Sequence, residues 1–378
     1  MAAPIPGTCT DRIDAVVAGY LGVDLAPALP DAGEPVPLAR LLRPGRLVEV
    51  GGLSLSLGGV VANTGLALRH FGKQVALMGT VGEDALGDLA LTLLKRHDVT
   101  LAIRRSSAGT AYGIVLAAPG SDRVFLECPG CNATFTSADL DMDLIARARL
   151  LHFGYPPLMP ALLANRGAEL VAIFSRVQRL GIVTSLDMTL PDPDGASAGV
   201  DWQDVLARVL PCVDVFTPSI EELLFMLVPA DYARLAAEGG DRDPVDCIPQ
   251  AEYGRLADAA LALGAKVVLV KAGHRGGYLR TGRVEGSPAL GLLSEDWSER
   301  DVWLPPMPVD AERVHNASGA GDAAVAGFLA ALLSGEPLER AGQYAMGAGR
   351  DNLYGPDALS GLTTWDEMTA ALPQATES

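Results

Sequence analysis

Short runs of Val, Ile and Leu alternate along this chain with longer segments whose apolar residues recur every three or four positions. Each run suits one buried strand, and each longer segment suits one amphipathic helix. Both faces of a parallel sheet are buried under helices, so the alternation predicts an α/β fold around a mostly parallel sheet. The predicted strands are residues 14–19, 74–79, 150–153, 181–187, 213–216 and 266–271, and the predicted helices include residues 86–97, 160–180, 220–227 and 255–263.

Two segments depart from that alternation. Residues 47–57 alternate apolar with small or polar residues, and residues 112–127 have the pattern of a strand, a turn and a second strand. We expect lid segments 47–57 and 110–132 to form a small β-sheet inserted within one domain that spans residues 11–378. Open α/β sheets bind ligands at their strand ends, where such an insertion can serve as a lid.

The composition argues against several kinds of partner. The formal net charge of -17 at pH 7 disfavours binding to nucleic acid or to an anionic membrane. No stretch reaches the ~20 apolar residues that span a bilayer, and residues 1–10 lack the pattern of a signal peptide, so we expect a cytoplasmic protein.

Cys128 and Cys131 form a CxxC pair, but the second ligand pair of a zinc site is missing. The cysteines therefore do not predict a structural zinc site.

The strongest chemical signal is Asn-Ala-Ser-Gly-Ala-Gly-Asp at residues 316–322, which precedes a predicted helix over residues 323–333. A glycine-rich turn at a helix N-terminus leaves amides free at the positive end of the dipole, which predicts an anion hole at Gly319, Ala320 and Gly321. Asp322 beside it is a candidate base for proton transfer from a hydroxyl. An ordinary helix cap would use the same residue types, and the local pattern leaves both interpretations open.

Residues 316–322 resemble the C-terminal signature of the ribokinase-like (PfkB-type) carbohydrate kinases, D-T-x-G-A-G-D. Residues 58–72 and 78–89 are similar to the N-terminal signature of that family, and residues 129–132 resemble its lid motif. The four segments follow the family's order along the chain. The resemblance implies a ribokinase-like fold, with a central sheet flanked by helices and a β-sheet lid. It also implies transfer of phosphate from ATP to a hydroxyl, usually a primary alcohol, of a small sugar.

The resemblance implies roles for individual residues. Asp322 is the catalytic base beside the anion hole. The substrate contacts are Asp24, Gly58, Gly59, Asn63 and Asn132. The nucleotide contacts are Ser219, Lys271, Gly273 and Gly276. Glu222 would help to hold Mg²⁺ through water, as expected where a triphosphate supplies most of the oxygen ligands.

Several points remain open at this stage. Asn316 and Ala317 replace the Asp and Thr of the signature, which makes a monovalent cation site doubtful. Tyr20, Tyr112 or Tyr155 could stack on a base, so a nucleoside kinase of the same family is an alternative to a sugar kinase. A non-catalytic sensor of sugar or nucleotide is a third hypothesis. An exposed lid edge also predicts a homodimer through the lid.

Overall fold

The computed structural model describes residues 13–30, 38, 42–117, 124–239, 242–284 and 295–373. Within them, nine strands form one sheet in the order β13-β12-β11-β10-β9-β8-β1-β4-β5. Their bounds are β1 Ile13–Gly19, β4 Val75–Gly82, β5 Thr100–Ser106, β8 Ala148–Gly154, β9 Val183–Asp187, β10 Val215–Phe216, β11 Val267–Lys271, β12 Gly277–Thr281 and β13 Asp301–Leu304. Neighbours pair in parallel, except that β12 is antiparallel to β11 and to β13.

The predicted α/β class and mostly parallel sheet are confirmed. All six predicted strands are present, because the central strands are apolar runs that are buried on both faces. Sequence analysis did not predict β5, β12 and β13, which lie at or next to the sheet edges. β5, for example, carries Arg104 and Arg105 and is only partly buried, so its pattern lacks the continuous apolar run of a central strand.

Helices cover the sheet in the expected alternation. The longest buried one is α10, whose residues from Asp322 to Leu333 are all buried. It packs against α11 closely enough that a Cβ on Gly327 would lie 2.5 Å from the carbonyl oxygen of Tyr344. The helix bounds are α1 Val60–His70, α2 Ala85–Leu94, α3 Met142–Ile145, α4 Pro160–Gln178, α5 Trp202–Val209, α6 Ile220–Leu227, α7 Pro229–Gly239, α8 Pro244–Cys247, α9 Gln250–Ala262, α10 Ala320–Ser334, α11 Leu338–Asn352 and α12 Trp365–Ala371.

A second sheet of four strands forms the predicted small β-sheet, in the order β3-β2-β6-β7. Its strands are β2 Gly22–Pro27, β3 Leu53–Gly58, β6 Ala111–Leu116 and β7 Val124–Cys128. The predicted turn between β6 and β7, at residues 119–122, lies outside the described residues. Asp24 lies in the middle of β2, within this lid sheet.

The two sheets meet where β1 and β8 end. Gly19 has φ 122°, and a Cβ on it would lie 2.4 Å from the carbonyl oxygen of Gly154. The backbones of β1 and β8 therefore approach closely just before the chain crosses into the lid sheet at Gly22. This junction places the lid beside the carboxyl ends of the central strands, where α/β sheets bind ligands. In the described part of the chain, none of the helices is long and apolar enough to cross a membrane.

Gly19→Ala should destabilise the fold far more than Gly72→Ala. Both glycines have positive φ, but no atom lies within 4 Å of a Cβ on Gly72, so that variant carries only a backbone penalty of about 1 kcal/mol. Gly19→Ala adds a backbone collision, and we expect a loss of at least about 3 kcal/mol in the free energy of unfolding. Urea denaturation of both variants measures the difference, and equal losses would contradict the close approach of β1 and β8.

Candidate active site

The carboxylate of Asp322 lies at the N-terminal end of α10 and is only 3% exposed. Two donors reach it from α1: Asn63 Nδ2 lies 2.9 Å from Oδ2, and Thr64 Oγ1 lies 3.1 Å from Oδ1. The Tyr155 hydroxyl lies 2.8 Å from both oxygens. Since three side chains donate to it, the carboxylate is fixed in one orientation at the carboxyl edge of the central sheet.

Tyr155 is held in an uncommon backbone conformation. Its φ of 66° and ψ of 39° lie in the left-handed region, which costs a non-glycine residue roughly 1–2 kcal/mol. It also precedes Pro156, a position that disfavours helical backbone angles. Burial raises the pKa of Tyr155, and the Asp322 charge raises it further, so the phenol stays protonated and can donate. The strained turn after β8 thus holds a permanent donor on Asp322.

The backbone before Asp322 has the features of an anion site. Gly319 has φ 77° and caps α10 without a side-chain hydrogen bond. Among the described residues, the amides of Gly321 and Asp322 have no hydrogen-bond partner. Lys271 Nζ lies 3.8 Å from the position of a Cβ on Gly321, so a cation stands next to these amides. Free amides, a helix dipole and a cation together can stabilise a phosphoryl group.

Lys271 forms a buried ion pair behind this anion site. Its Nζ lies 2.7 Å from Asp187 Oδ1, to which the Thr217 hydroxyl also donates at 3.1 Å. Burial alone would lower the pKa of Lys271, but Asp187, Glu222 and Asp322 reverse that effect and raise it. The ammonium group therefore stays charged. Asp187 Oδ2 is buried without a hydrogen-bond partner in the described structure.

Ser219 and Glu222 begin α6 next to Lys271. The Ser219 amide donates to Glu222 Oε2 at 2.7 Å, and the Glu222 amide donates to Ser219 Oγ at 3.1 Å, which is a capping box. The Lys271 amide donates to the carbonyl of Pro218 at 2.9 Å. The cap fixes one oxygen of the Glu222 carboxylate and leaves the other available for a water or an ion.

Gly273 and Gly276 shape the turn between β11 and β12. Their φ angles are 52° and 97°, and a Cβ on Gly276 would lie 2.1 Å from the carbonyl oxygen of Leu304. The Ala272 amide donates to the Gly276 carbonyl at 2.9 Å, which closes the turn. Glycine is therefore required at position 276 for the hairpin itself, and the turn follows directly after Lys271.

Asp24 faces Asp322 from the lid. A Cβ on Gly58 would lie 2.6 Å from Asp24 Oδ1, and a Cβ on Gly59 would lie 2.5 Å from the carbonyl oxygen of Tyr20. The two glycines therefore allow the backbone to pass close to both Asp24 and Tyr20. Burial raises the pKa of Asp24 to about 6, and the charge of Asp322 adds to the effect. No hydrogen-bond donor contacts the Asp24 carboxylate within the described residues, so it is available to a ligand.

Asn132 occupies a different position from the other predicted contacts. Its side chain is fully buried, and Nδ2 donates to the carbonyl of Leu21 at 2.9 Å while Oδ1 accepts from the Leu21 amide at 3.5 Å. These bonds hold the segment between β1 and β2. In this structure Asn132 therefore positions the start of the lid.

Comparisons with known proteins identify the family of this chain. The defining pattern of the pfkB family carbohydrate kinases matches residues 34–350, and the chain belongs to that family. Fructokinase-2 of Zea mays is 29% identical over 163 residues, 41% of this chain and 48% of that protein, so the chain spans about half the length of this relative. The 2-dehydro-3-deoxygluconokinase of Bacillus subtilis is 26% identical over 337 residues, 87% of this chain and 90% of that protein.

Solved structures share the fold. A putative ribokinase II from E. coli, in complex with ATP and Mg²⁺, has a TM-score of 0.68 at 18% identity, covering 95% of this chain and 98% of that one. The ribokinase-like fold predicted from the sequence is thus confirmed.

The structure brings Asp322, Asn63, Asp24, Gly58 and Gly59 to one side of the anion site. Lys271, Ser219 and Glu222 lie on the other side. Sequence analysis had offered Tyr155 only as a stacking group for a base, and it had not singled out Thr64. Thr64 adjoins Asn63, but it belongs to no pattern that indicates its contact with Asp322.

Asp24→Asn should raise the free energy of unfolding at pH 8 by about 1–3 kcal/mol. The pKa of Asp24 is about 6 in the folded protein, above its ordinary value of 3.8. Ionisation of Asp24 therefore opposes folding once the pH exceeds 3.8, and the full effect is reached above about pH 6. The gain should be complete above about pH 6 and shrink as the pH falls toward 4, since the carboxyl group is then protonated in both states.

Urea denaturation at pH 5, 6, 7 and 8 checks this expectation. Asp143→Asn, an exposed site on α3, is the charge-matched control and should show no such pH-dependent gain. A change that is the same at every pH would contradict the burial of the Asp24 charge.

Proposed function

We propose that this protein is an ATP-dependent kinase that phosphorylates a hydroxyl group, a primary alcohol, of a small sugar. The observation that carries the proposal is the position of Asp322. Its carboxylate is fixed by three donors, adjoins the free amides of the anion site and faces the open carboxylate of Asp24. Membership of the pfkB family supports the same activity.

The sugar would bind between the lid and the central sheet. Asp24 would accept hydrogen bonds from two sugar hydroxyls, and the backbone at Gly58 and Gly59 would line the same side. The reacting hydroxyl would then approach Asp322, displacing the Tyr155 hydroxyl from at least one carboxylate oxygen. Asp322 would orient this hydroxyl for in-line attack and accept its proton, a contribution of about 10²- to 10⁴-fold in rate.

The transferred phosphoryl group would occupy the anion site. The free amides of Gly319, Gly321 and Asp322 and the Lys271 ammonium would stabilise its developing charge. The Ala320 amide, which was predicted to take part, donates to the Ala317 carbonyl at 3.3 Å instead. Ser219, Gly273 and Gly276 would line the nucleotide on the side of α6 and the hairpin turn. The ATP complex of the E. coli neighbour supports ATP as the phosphate donor. An ATP-dependent enzyme of this kind suits a cytoplasmic location.

Mg²⁺ fits the residues that are present. The described residues contain no group of three or more His, Cys, Asp or Glu side chains able to enclose a metal ion. One carboxylate with a free oxygen, Glu222, suits an ion that takes most of its ligands from phosphates and water. Glu222 would hold Mg²⁺ through water, and the ion would neutralise charge on the phosphates.

Asn316 supports activity without a monovalent cation. Its Nδ2 donates to the carbonyls of Pro356 at 2.9 Å and Gly355 at 3.2 Å, and its Oδ1 accepts from the Ser318 amide at 2.8 Å. An amide group, and not a carboxylate, thus links the anion-site turn to residues 355–356. Without the charge of a carboxylate at position 316, a cation would bind weakly there.

The kinase assay is ATP consumption with Mg²⁺ against pentoses, hexoses, their phosphates and nucleosides. We expect turnover with one class of sugar, and a loss of at least about 100-fold in kcat for Asp322→Asn, because that variant keeps the shape but lacks the base. Nucleosides as the better substrates would favour the nucleoside kinase alternative.

Asp366→Asn, an exposed site on α12, is the matched control and should keep full activity. Circular dichroism and ATP binding would check that Asp322→Asn is folded. If the wild-type protein binds sugar or nucleotide but turns over no compound, the sensor hypothesis replaces the kinase.

We also propose a homodimer through the lid. Strand register places Leu55, Leu25, Ile114 and Leu126 in one row across the outer face of the lid sheet. Leu55 is 45% exposed and Leu126 is 51% exposed. A sheet face with this many exposed apolar side chains is typical of a protein interface, and a second copy of the same face would cover it symmetrically.

Leu126→Asp should convert a dimer to a monomer, because it would bury two charges at the symmetric contact. Leu180→Asp at the end of α4, where Leu180 is 45% exposed, is the control and should remain dimeric. Sedimentation velocity at micromolar concentration measures both. A wild-type protein that is monomeric there would contradict the proposed dimer.

A further inference from the structure

The inner face of the lid sheet carries a second carboxylate beside Asp24. Strand register aligns Asp24 of β2 with Ser56 of β3 and Gly113 of β6, and Gly113 with Glu127 of β7. Directly paired residues share one face of a sheet, so Glu127 points to the same side as Asp24. This is the side that faces Asp322, whose charge acts on Asp24.

Glu127 is fixed in this position. The hydroxyl of Tyr20, a residue only 3% exposed, donates to Glu127 Oε1. The other oxygen, Oε2, lies 2.8 Å from the position of a Cβ on Gly113, and Asp24 Oδ1 lies 3.0 Å from that same position. The two carboxylates therefore converge over a glycine that leaves the space between them open.

The described structure places no cation against these two carboxylates. Burial raises the pKa of Glu127 to about 7, and the charge of Asp24 adds to the effect of burial, whereas the Tyr20 hydrogen bond opposes it. The two arginines of β5 form ion pairs with other carboxylates. Arg104 Nη1 lies 3.0 Å from Asp139 Oδ1, and Arg105 Nη2 lies 2.8 Å from Asp88 Oδ1. Lys271 is paired with Asp187 on the phosphate side of the site.

This distribution of charge limits which substrates can bind between the lid and Asp322. Asp24 and the free oxygen of Glu127 can accept hydrogen bonds from sugar hydroxyls, which are good donors. At pH 8, above the raised pKa values of both groups, a carboxylate or phosphate group on the sugar would instead meet two like charges, on the exposed Glu127 and the half-buried Asp24. Repulsion at a few ångströms near a protein surface is stronger than in bulk water. The pocket thus favours donors and opposes anions.

We propose that Glu127 is a specificity-determining residue which, together with Asp24, admits neutral sugars and rejects sugar acids. The proposal rests on the kinase function proposed above and narrows its substrate class. The proposal also separates the relatives of this chain by the substrate in their names. The name fructokinase denotes a neutral sugar, and the name 2-dehydro-3-deoxygluconokinase denotes a sugar acid.

The test compares kcat/KM within pairs of sugars that differ mainly at C1. The pairs are D-fructose with 2-dehydro-D-gluconate, which both keep a carbonyl at C2, and the open-chain pairs D-glucitol with D-gluconate and D-ribitol with D-ribonate. All are assayed at pH 8, where Asp24 and Glu127 are both ionised. For the wild-type protein we expect the neutral member of the best pair to be preferred by at least about 30-fold. Glu127→Gln, which can still accept the Tyr20 hydrogen bond, should reduce that preference about tenfold, chiefly by raising kcat/KM for the acid.

A gain of activity toward the acid separates specificity from structure, because a merely damaged lid would lower kcat/KM for both sugars alike. Glu238→Gln, an exposed site on α7, is the charge-matched control and should leave the preference unchanged. Wild-type preference for an acid, or an unchanged preference in Glu127→Gln, would overturn the inference and leave the kinase function standing. Turnover of none of these six compounds, and of no compound in the kinase assay above, would contradict the kinase function, and the inference would fall with it.

Discussion

The buried carboxylate of Asp322 is the constraint on which the arrangement of this site depends. Burial of an ionised carboxylate costs several kcal/mol unless hydrogen bonds and dipoles replace the lost water. Here the replacements come from three parts of the fold: Asn63 and Thr64 on α1, Tyr155 after β8, and the N-terminus of α10 itself. Displacement of any one of these elements would remove part of this compensation, so the stability of the fold and the geometry of the site are linked.

Charge divides the site into two halves. On the phosphate side, the Lys271 ammonium balances Asp187 and Glu222 and lies beside the free amides of the anion site. On the sugar side, Asp24 and Glu127 face each other, and the described residues supply no cation to either. A phosphoryl group and a polyhydroxyl compound have opposite requirements, the first for positive charge and donors, the second for acceptors. The two halves meet at Asp322, where phosphate and hydroxyl would react.

The lid illustrates how one short sheet can serve two purposes. Successive residues of a strand point to opposite faces, so β2 directs Asp24 inward and Leu25 outward, and β7 directs Glu127 inward and Leu126 outward. The inner face carries the two carboxylates, beside the apolar Val115 and Phe125, and lines the space opposite Asp322. The outer face is apolar and exposed, which suits a partner copy. A register shift of one residue would exchange the two faces and destroy both properties.

The sequence by itself determined the α/β class, the six central strands and the anion-site turn at residues 316–322. These features depend on residues that are close together in the chain. The spacing of apolar residues indicates which of them are buried, and a glycine-rich turn before a helix indicates free backbone amides. Only the tertiary structure decided that Asp24 lies within a lid strand, that Tyr155 donates to Asp322 and that Glu127 converges with Asp24. The partners in the last two contacts are more than 100 residues apart in the chain. Such contacts depend on strand order and register, which no local pattern encodes.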